Sequence, residues 1–233
     1  MKAMIFAAGL GTRLKPITND KPKALVEING ISLLEITIKK LIRFGFNELI
    51  INVHHFAEQV ISFIKQSSFE ADIRISDERE VLLNTGGGLK YAQWFFDDGK
   101  PFLLHNVDII SDLDLKAFYD SHSANDAIAT LAVRNRESSR KLSFDENDLL
   151  CGWKDIKKDK IKITRNSKEK NELAFSGIHV IDPKIFKYFS QQEVFSIIDF
   201  YLDVSKTEKI RAFRHDETSW QDVGKLEDLH NLK

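Results

Sequence analysis

The chain has 233 residues and a mass of 26.8 kDa; 42% of residues are hydrophobic, 30% are charged, and 34 basic against 35 acidic side chains give a net charge of −1. This composition can fill a core and excludes wholesale disorder. The charge balance excludes general affinity for nucleic acid or membrane surfaces. Cys151 is the one cysteine, which excludes an intrachain disulfide and a thiolate zinc site and fits a reducing cytoplasm. The apolar start is broken by Gly9, Gly11 and Arg13, and no stretch approaches about eighteen uninterrupted apolar residues, so neither signal peptide nor membrane span is expected.

In chain order, Lys2–Ala7 reads as a buried strand, and Ala8–Lys23, rich in Gly, Pro, Thr and Asn, is irregular. Ile31–Phe44 carries Leu34, Ile38, Leu41 and Ile42 at helical spacing, with Gly45 as its C-cap. Glu48–Val53 is a strand, Ala57–Lys65 a helix, Ala71–Ser76 a strand, Gly86–Phe96 a helix opening on a glycine run, and Pro101–His105 a strand. This alternation predicts parallel βαβ units. Further on, Ala127–Val133 and Ala174–Ile181 read as strands, and Leu149–Trp153 and Lys160–Thr164 as short strands of an antiparallel, partly exposed insertion. Pro183–Phe189 and Ser196–Val204 read as helices, Lys209–Phe213 and the region near Trp220 as strands, and Lys225–Leu232 as a closing helix. The fold class is α/β: a Rossmann-like, mixed and mainly parallel sheet flanked by helices, in one domain spanning 1–233.

The chemistry concentrates where the first strand ends. In Phe6-Ala7-Ala8-Gly9-Leu10-Gly11-Thr12-Arg13, small residues let backbone N–H groups approach phosphates, and Arg13 offers a guanidinium fork. Lys23 adds a second cation. The run is neither a Walker A loop nor a dinucleotide fingerprint, since no Gly-Lys-Ser/Thr follows and Leu14 stands where a third glycine belongs. Alone, it also reads as an ordinary βα loop.

The longer run AAGLGTRLKPITNDKPKAL resembles the signature of the sugar-1-phosphate nucleotidylyltransferases. The resemblance implies that Ala7, Ala8, Gly9, Gly11 and Thr12 hold a nucleoside triphosphate, with Arg13 on the leaving pyrophosphate and Lys23 near the α-phosphate. It implies a nucleobase contact for Asn84-Thr85-Gly86-Gly87-Gly88, through Thr85, Gly86 and Gly87. Asn106 joins the nucleotide site, and Asp108, at the end of an apolar strand, binds magnesium; Val107 replaces the family's usual glycine there. Trp220-Gln221-Asp222-Val223-Gly224 is similar to the second metal segment and supplies Asp222. Gly177 and Trp220 fall to the sugar. The family's Glu-Lys-Pro has no counterpart; Trp153-Lys154-Asp155 lies in that region. The implied halves are about 1–125 for the nucleotide and about 126–233 for the sugar phosphate.

The implied reaction joins an NTP and a sugar 1-phosphate. A phosphate oxygen attacks the α-phosphorus in line and pyrophosphate leaves, with Mg²⁺ as cofactor and no general base. The Asn-Thr-Gly-Gly-Gly run and short length are most similar to members that use UTP with N-acetylmuramate 1-phosphate in cell-wall recycling. GTP with mannose or heptose 1-phosphate is the alternative, and an inactive nucleotide-sugar-binding regulator is the alternative of another class. No nucleic-acid or membrane partner is expected, and the chain is read as a cytoplasmic monomer or small homo-oligomer. The acyltransferase β-helix of bifunctional relatives is not expected. His54-His55, Cys151, Asp112-Leu113-Asp114 and the basic stretch Lys154–Lys170 all read as structural or solvated.

Overall fold

The first strand, β1 (Lys2–Phe6), is apolar along its length because it lies inside a sheet covered on both faces. The computed structural model describes residues 1–224 and Leu229. After β1 the chain makes short 3₁₀ turns at Thr12–Leu14, Ile17–Asn19 and Lys23–Leu25, then a small hairpin of β2 (Glu27–Ile28) and β3 (Ile31–Ser32). There follow α1 (Leu33–Arg43), β4 (Glu48–Val53), α2 (Ala57–Gln66), β5 (Asp72–Asp77), α3 (Asn84–Tyr91), β6 (Phe102–Asn106), β7 (Ile109–Ser111) and α4 (Leu115–Ser123). The second half runs β8 (Ala129–Arg134), β9 (Arg140–Phe144), β10 (Leu150–Asp155), β11 (Lys160–Ile163), β12 (Asn171–Ile181), α5 (Ile197–Val204), β13 (Ile210–Arg214) and β14 (Trp220–Asp222).

Ten strands form one sheet in the order β11-β10-β9-β12-β6-β1-β4-β5, with β8 beside β12 and β13 beside β8. β5, β4, β1 and β6 are parallel, as the βαβ alternation requires. β12 joins the halves by running antiparallel to β6, β8 and β9. Alternate side chains of β1 serve two cores. Ala3 and Ile5 pack with Leu34, Ile38 and Leu41 of α1, whereas Met4 and Phe6 face the side that holds Phe200 and Tyr201 of α5.

The expected insertion is the antiparallel set β9–β10–β11, and it extends the main sheet. Helix α1 is shorter than the expected 31–44, because Ile31 and Ser32 are extended and the Ser32 side chain caps the helix by accepting from Glu35 N at 3.1 Å. Helix α3 starts at Asn84 rather than Gly86 and gives way to a 3₁₀ turn at Gln93–Phe95. Pro183–Tyr188 is 3₁₀ rather than α. The expected helix Lys225–Leu232 lies, apart from Leu229, outside the described residues. Among the described residues no helix is long and apolar enough to cross a membrane.

Candidate active site

The carboxyl ends of β1, β4 and β6 open on a cavity of about 500 Å³, lined by Ala7, Ala8, Gly9, Lys23, Asn52, Glu78, Asn84, Thr85, Asn106 and Asp108 among others. This is where parallel sheets bind ligands. Asn52, buried at the end of β4, holds the loop to the sheet. Its Oδ1 accepts from Ala7 N (2.8 Å) and Ala8 N (3.3 Å), and its Nδ2 donates to Glu78 Oε1 (2.8 Å). The N–H groups of Ala7 and Ala8 are therefore taken by Asn52, while both residues still line the cavity. The N–H of Gly9 meets no acceptor among the described residues, and a Cβ there would meet nothing within 4 Å. Gly11 turns the chain with φ +64°, its carbonyl accepting from Thr18 Oγ1 at 2.8 Å, and Thr12 and Arg13 in the next turn are exposed.

Asp108 follows β6, and β7 begins directly after it. The short β14 runs antiparallel to β7 with Asp222 opposite Ile109, and Val223 N donates to Asp108 O at 2.8 Å. Two aspartates distant in sequence thus share one corner. Lys23 forms an ion pair with Asp108. Burial, and then the negative charge of Asp108, push the Asp222 carboxyl up from its ordinary range, while Lys23 and Arg13 pull it back. Arg13 reaches this corner because Gly224 has no side chain: a Cβ there would lie 2.6 Å from Arg13 Nη2. Val107 needs no glycine. Its φ is not positive, its side chain is in the core, and its N–H donates to Phe6 O at 3.2 Å.

Asn106 and Gly177 meet beside this corner. Gly177 has φ +75° at the irregularity in β12, and a Cβ would lie 2.9 Å from both Asn106 Nδ2 and Ile109 Cγ1, so conformation and space both require glycine. The Trp220 indole donates to Ser176 O at 2.9 Å. Trp153-Lys154-Asp155 is structural. Lys154 pairs with Glu172, and Asp155 accepts from Lys157 N and Lys158 N.

Gly86 and Gly87 pack closely against the 193–195 segment. Both N–H groups donate to Phe195 O, at 2.9 and 3.3 Å, and a Cβ at Gly86 would lie 2.4 Å from the Phe195 ring. A Cβ at Gly87 would lie 2.0 Å from Glu193 O. The glycines let α3 press against the 193–195 segment. Thr85 lines the cavity, and its hydroxyl accepts from Ile197 N at 3.0 Å.

Sequence reasoning passed over Asn52, Glu78 and Arg136. Asn52 was detectable as a polar residue in the apolar run Leu49–Val53, whereas Glu78 and Arg136 carried no local signal. Elsewhere, His54 Nδ1 shares a hydrogen bond with Glu78 O (2.7 Å), and the buried Cys151 thiol donates to Ser143 O (3.3 Å) and is pushed up by burial. Asp114 caps α4 by accepting from Ala117 N at 2.9 Å. Among the described residues no group of three or more His, Cys, Asp or Glu side chains is placed to hold a metal.

The nucleotidyl transferase family model matches residues 2–233. The chain is 32% identical over 189 residues to the N-acetylmuramate alpha-1-phosphate uridylyltransferase of Caulobacter vibrioides, covering 78% of this chain and 76% of that protein. It is 30% identical to the D-glycero-alpha-D-manno-heptose 1-phosphate guanylyltransferase of Campylobacter jejuni, covering 100% and 98%. The crystal structure of HddC from Yersinia pseudotuberculosis complexed with GMP-PN superposes with a TM-score of 0.77 at 25% identity, covering 99% of this chain and 97% of that one. With a family match that spans the sheet, the loop after β1 and both aspartates, this chain belongs to the nucleotidyl transferase family.

Proposed function

We propose that the chain transfers a nucleoside monophosphate from an NTP to a sugar 1-phosphate, releasing pyrophosphate, with UTP and N-acetylmuramate 1-phosphate as its pair. The observation that carries the reaction class is the meeting of Asp108 and Asp222 with Lys23 and Arg13 at the carboxyl ends of the parallel strands. The choice of pair rests on similarity to the Caulobacter protein.

The loop from Gly9 onward receives the triphosphate, and Arg13 faces the pyrophosphate as charge builds on it. Lys23 lines the cavity beside Asp108, where it holds charge gathering at the α-phosphate. A sugar phosphate is already anionic near neutral pH, so the site needs no general base, and positioning and charge neutralisation supply the rate. The family implies a divalent cation, and the residues present fit one. Two carboxylates share a partly buried corner in which the negative charge of Asp108 helps push the Asp222 carboxyl up. Magnesium takes one or two carboxylates and completes its shell with phosphates and water. When bound there, Mg²⁺ neutralises the phosphates that must approach each other.

GTP with heptose 1-phosphate is a second reading, favoured by the match to nearly the full length of the Campylobacter protein. The test is pyrophosphate release with UTP, GTP, CTP and dTTP against N-acetylmuramate, heptose, mannose and glucose 1-phosphates. Turnover with UTP and N-acetylmuramate 1-phosphate alone is the expected result. Turnover with GTP and heptose or mannose 1-phosphate replaces the pair and keeps the class. Nucleotide binding without turnover in any pair gives the inactive regulator.

A further inference from the structure

Arg136 stands beside the aspartate corner and outside the nucleotide cavity. It lies just beyond the end of β8, with its guanidinium carbon 4.1 Å from the centre of the Trp220 ring. Nη2 donates to Phe175 O at 3.1 Å and Nη1 to Glu137 O at 3.2 Å. The Nε–H is buried and meets no acceptor among the described residues. An arginine has five N–H donors, so most of the fork remains for a ligand. Arg134 has the same donor count, with its terminal nitrogens on Thr218 O and Asp216 O at 3.1 and 3.3 Å and a buried Nε–H that meets no acceptor among the described residues, and it pins the turn ahead of β14; what sets Arg136 apart is its seat on the Trp220 ring.

Trp220 fixes where Arg136 sits. The indole is anchored on Ser176 O, and Trp220 and Asp222 alternate with Gln221 on β14, so their side chains leave the same face of the strand. Asp222 acts electrostatically on Arg136, opposing the burial that pulls the guanidinium down. Neither Arg136 nor Trp220 lines the nucleotide cavity, which Asp108 borders.

The transferase reaction brings a second anion to this corner. An oxygen of the acceptor phosphate forms a bond to the α-phosphorus. The bond from that phosphorus to the bridging oxygen of pyrophosphate breaks, its electron pair leaves with pyrophosphate, and no proton has to move. The acceptor phosphate must therefore settle against two aspartates, where a local cation is required. Lys154 does not supply it, being paired with Glu172. We propose that Arg136, held on the face of Trp220, binds the phosphate of the acceptor sugar 1-phosphate and orients its attacking oxygen, an inference that rests on the transferase reading.

The test compares wild type with Arg136→Gln and Arg136→Lys, using the pair that wild type turns over and following pyrophosphate release. Arg136→Gln is expected to raise KM for the sugar 1-phosphate at least tenfold and to leave KM for the NTP within twofold. Arg136→Lys falls between, keeping charge but losing the planar fork and the stacking. Inhibition by the parent sugar without its phosphate stays as in wild type. If that inhibition weakens in step, Arg136 reads the sugar and the phosphate assignment is overturned. Unchanged acceptor KM, or equal rises in both KM values, also overturns it. A lowered thermal midpoint with unchanged acceptor KM makes Arg136 a structural residue. If wild type turns over no pair, the transferase reading fails first and takes this inference with it, whereas an active wild type with an indifferent Arg136→Gln variant sinks the inference alone.

Discussion

Val223 donates its backbone N–H to the carbonyl of Asp108 at 2.8 Å, and that bond ties the two aspartates into one corner. The β7–β14 ribbon sets their spacing through backbone pairing, with Asp222 opposite Ile109. Changing either carboxyl should therefore alter chemistry without dismantling the corner.

Asp222→Asn removes one of two neighbouring negative charges and keeps an oxygen that can accept from Gly224 N, now at 2.8 Å. Turnover is expected to fall by about 100-fold or more, the usual scale for losing one group that stabilises transition-state charge. The urea midpoint is expected to match or exceed wild type, because like-charge repulsion with Asp108 is gone. Wild-type turnover in this variant would remove Asp222 from the machinery.

Asn52 is a different kind of site residue, since it holds the loop rather than the ligand. Asn52→Leu strands the N–H groups of Ala7 and Ala8 and the Glu78 carboxyl in a buried setting. An unpaired buried polar group costs on the order of 1–3 kcal/mol, so a loss of about 3 kcal/mol is expected in urea unfolding, with a higher KM for the NTP. A stability change under about 1 kcal/mol would mean that the loop is held elsewhere.

Much of the fold was legible because strands buried on both faces are apolar throughout, as in Met4-Ile5-Phe6 and Leu49-Ile50-Ile51. Helix α4 was not, because its buried face is only Leu115, Phe118 and His122, and a histidine breaks the apolar pattern. The loop after β1 was readable as local chemistry. The pairing of Asp108 with Asp222 followed only from the family resemblance, since the ribbon that makes it is a tertiary feature. The packing of Gly86 and Gly87 was hidden for the same reason: their partners, Glu193 and Phe195, are far along the chain. Arg136 carries no local signal, because what gives it a role is Trp220 in another strand.

The two glycine classes can be separated by substitution. Gly87→Ala places a methyl group 2.0 Å from a backbone carbonyl, that of Glu193, which cannot rotate away. A loss of about 3 kcal/mol in urea unfolding is expected, at the upper end for overpacking. Gly9→Ala meets open space, so stability holds within about 0.5 kcal/mol while KM for the NTP rises. The opposite ranking in stability would return Gly87 to the ligand.

Acid should destabilise the protein through its buried histidines. Burial holds His105 near a pKa of about 3, His122 near about 4, His179 near about 3 and His215 near about 4; His105 adds to the shift at His179, and Arg134 to that at His215. In the unfolded chain the same imidazoles titrate near 6.5. Between pH 6.5 and about 4 the unfolded state therefore binds more protons than the folded state, and stability falls as pH drops through that window. Each histidine contributes up to about 1.4 kcal/mol per pH unit, so the four together approach about 5.5 kcal/mol per unit at the acid end. Urea midpoints measured from pH 7.5 to 5 should be level at first and then decline. His122→Gln keeps an acceptor or donor for Thr130 Oγ1, now 2.8 Å from the ring, and removes the titration, so it should flatten the decline by about a quarter. A midpoint that stays level to pH 5, or a His122→Gln variant that follows wild type throughout, would show that these imidazoles take up protons in the folded state and are not held neutral by burial.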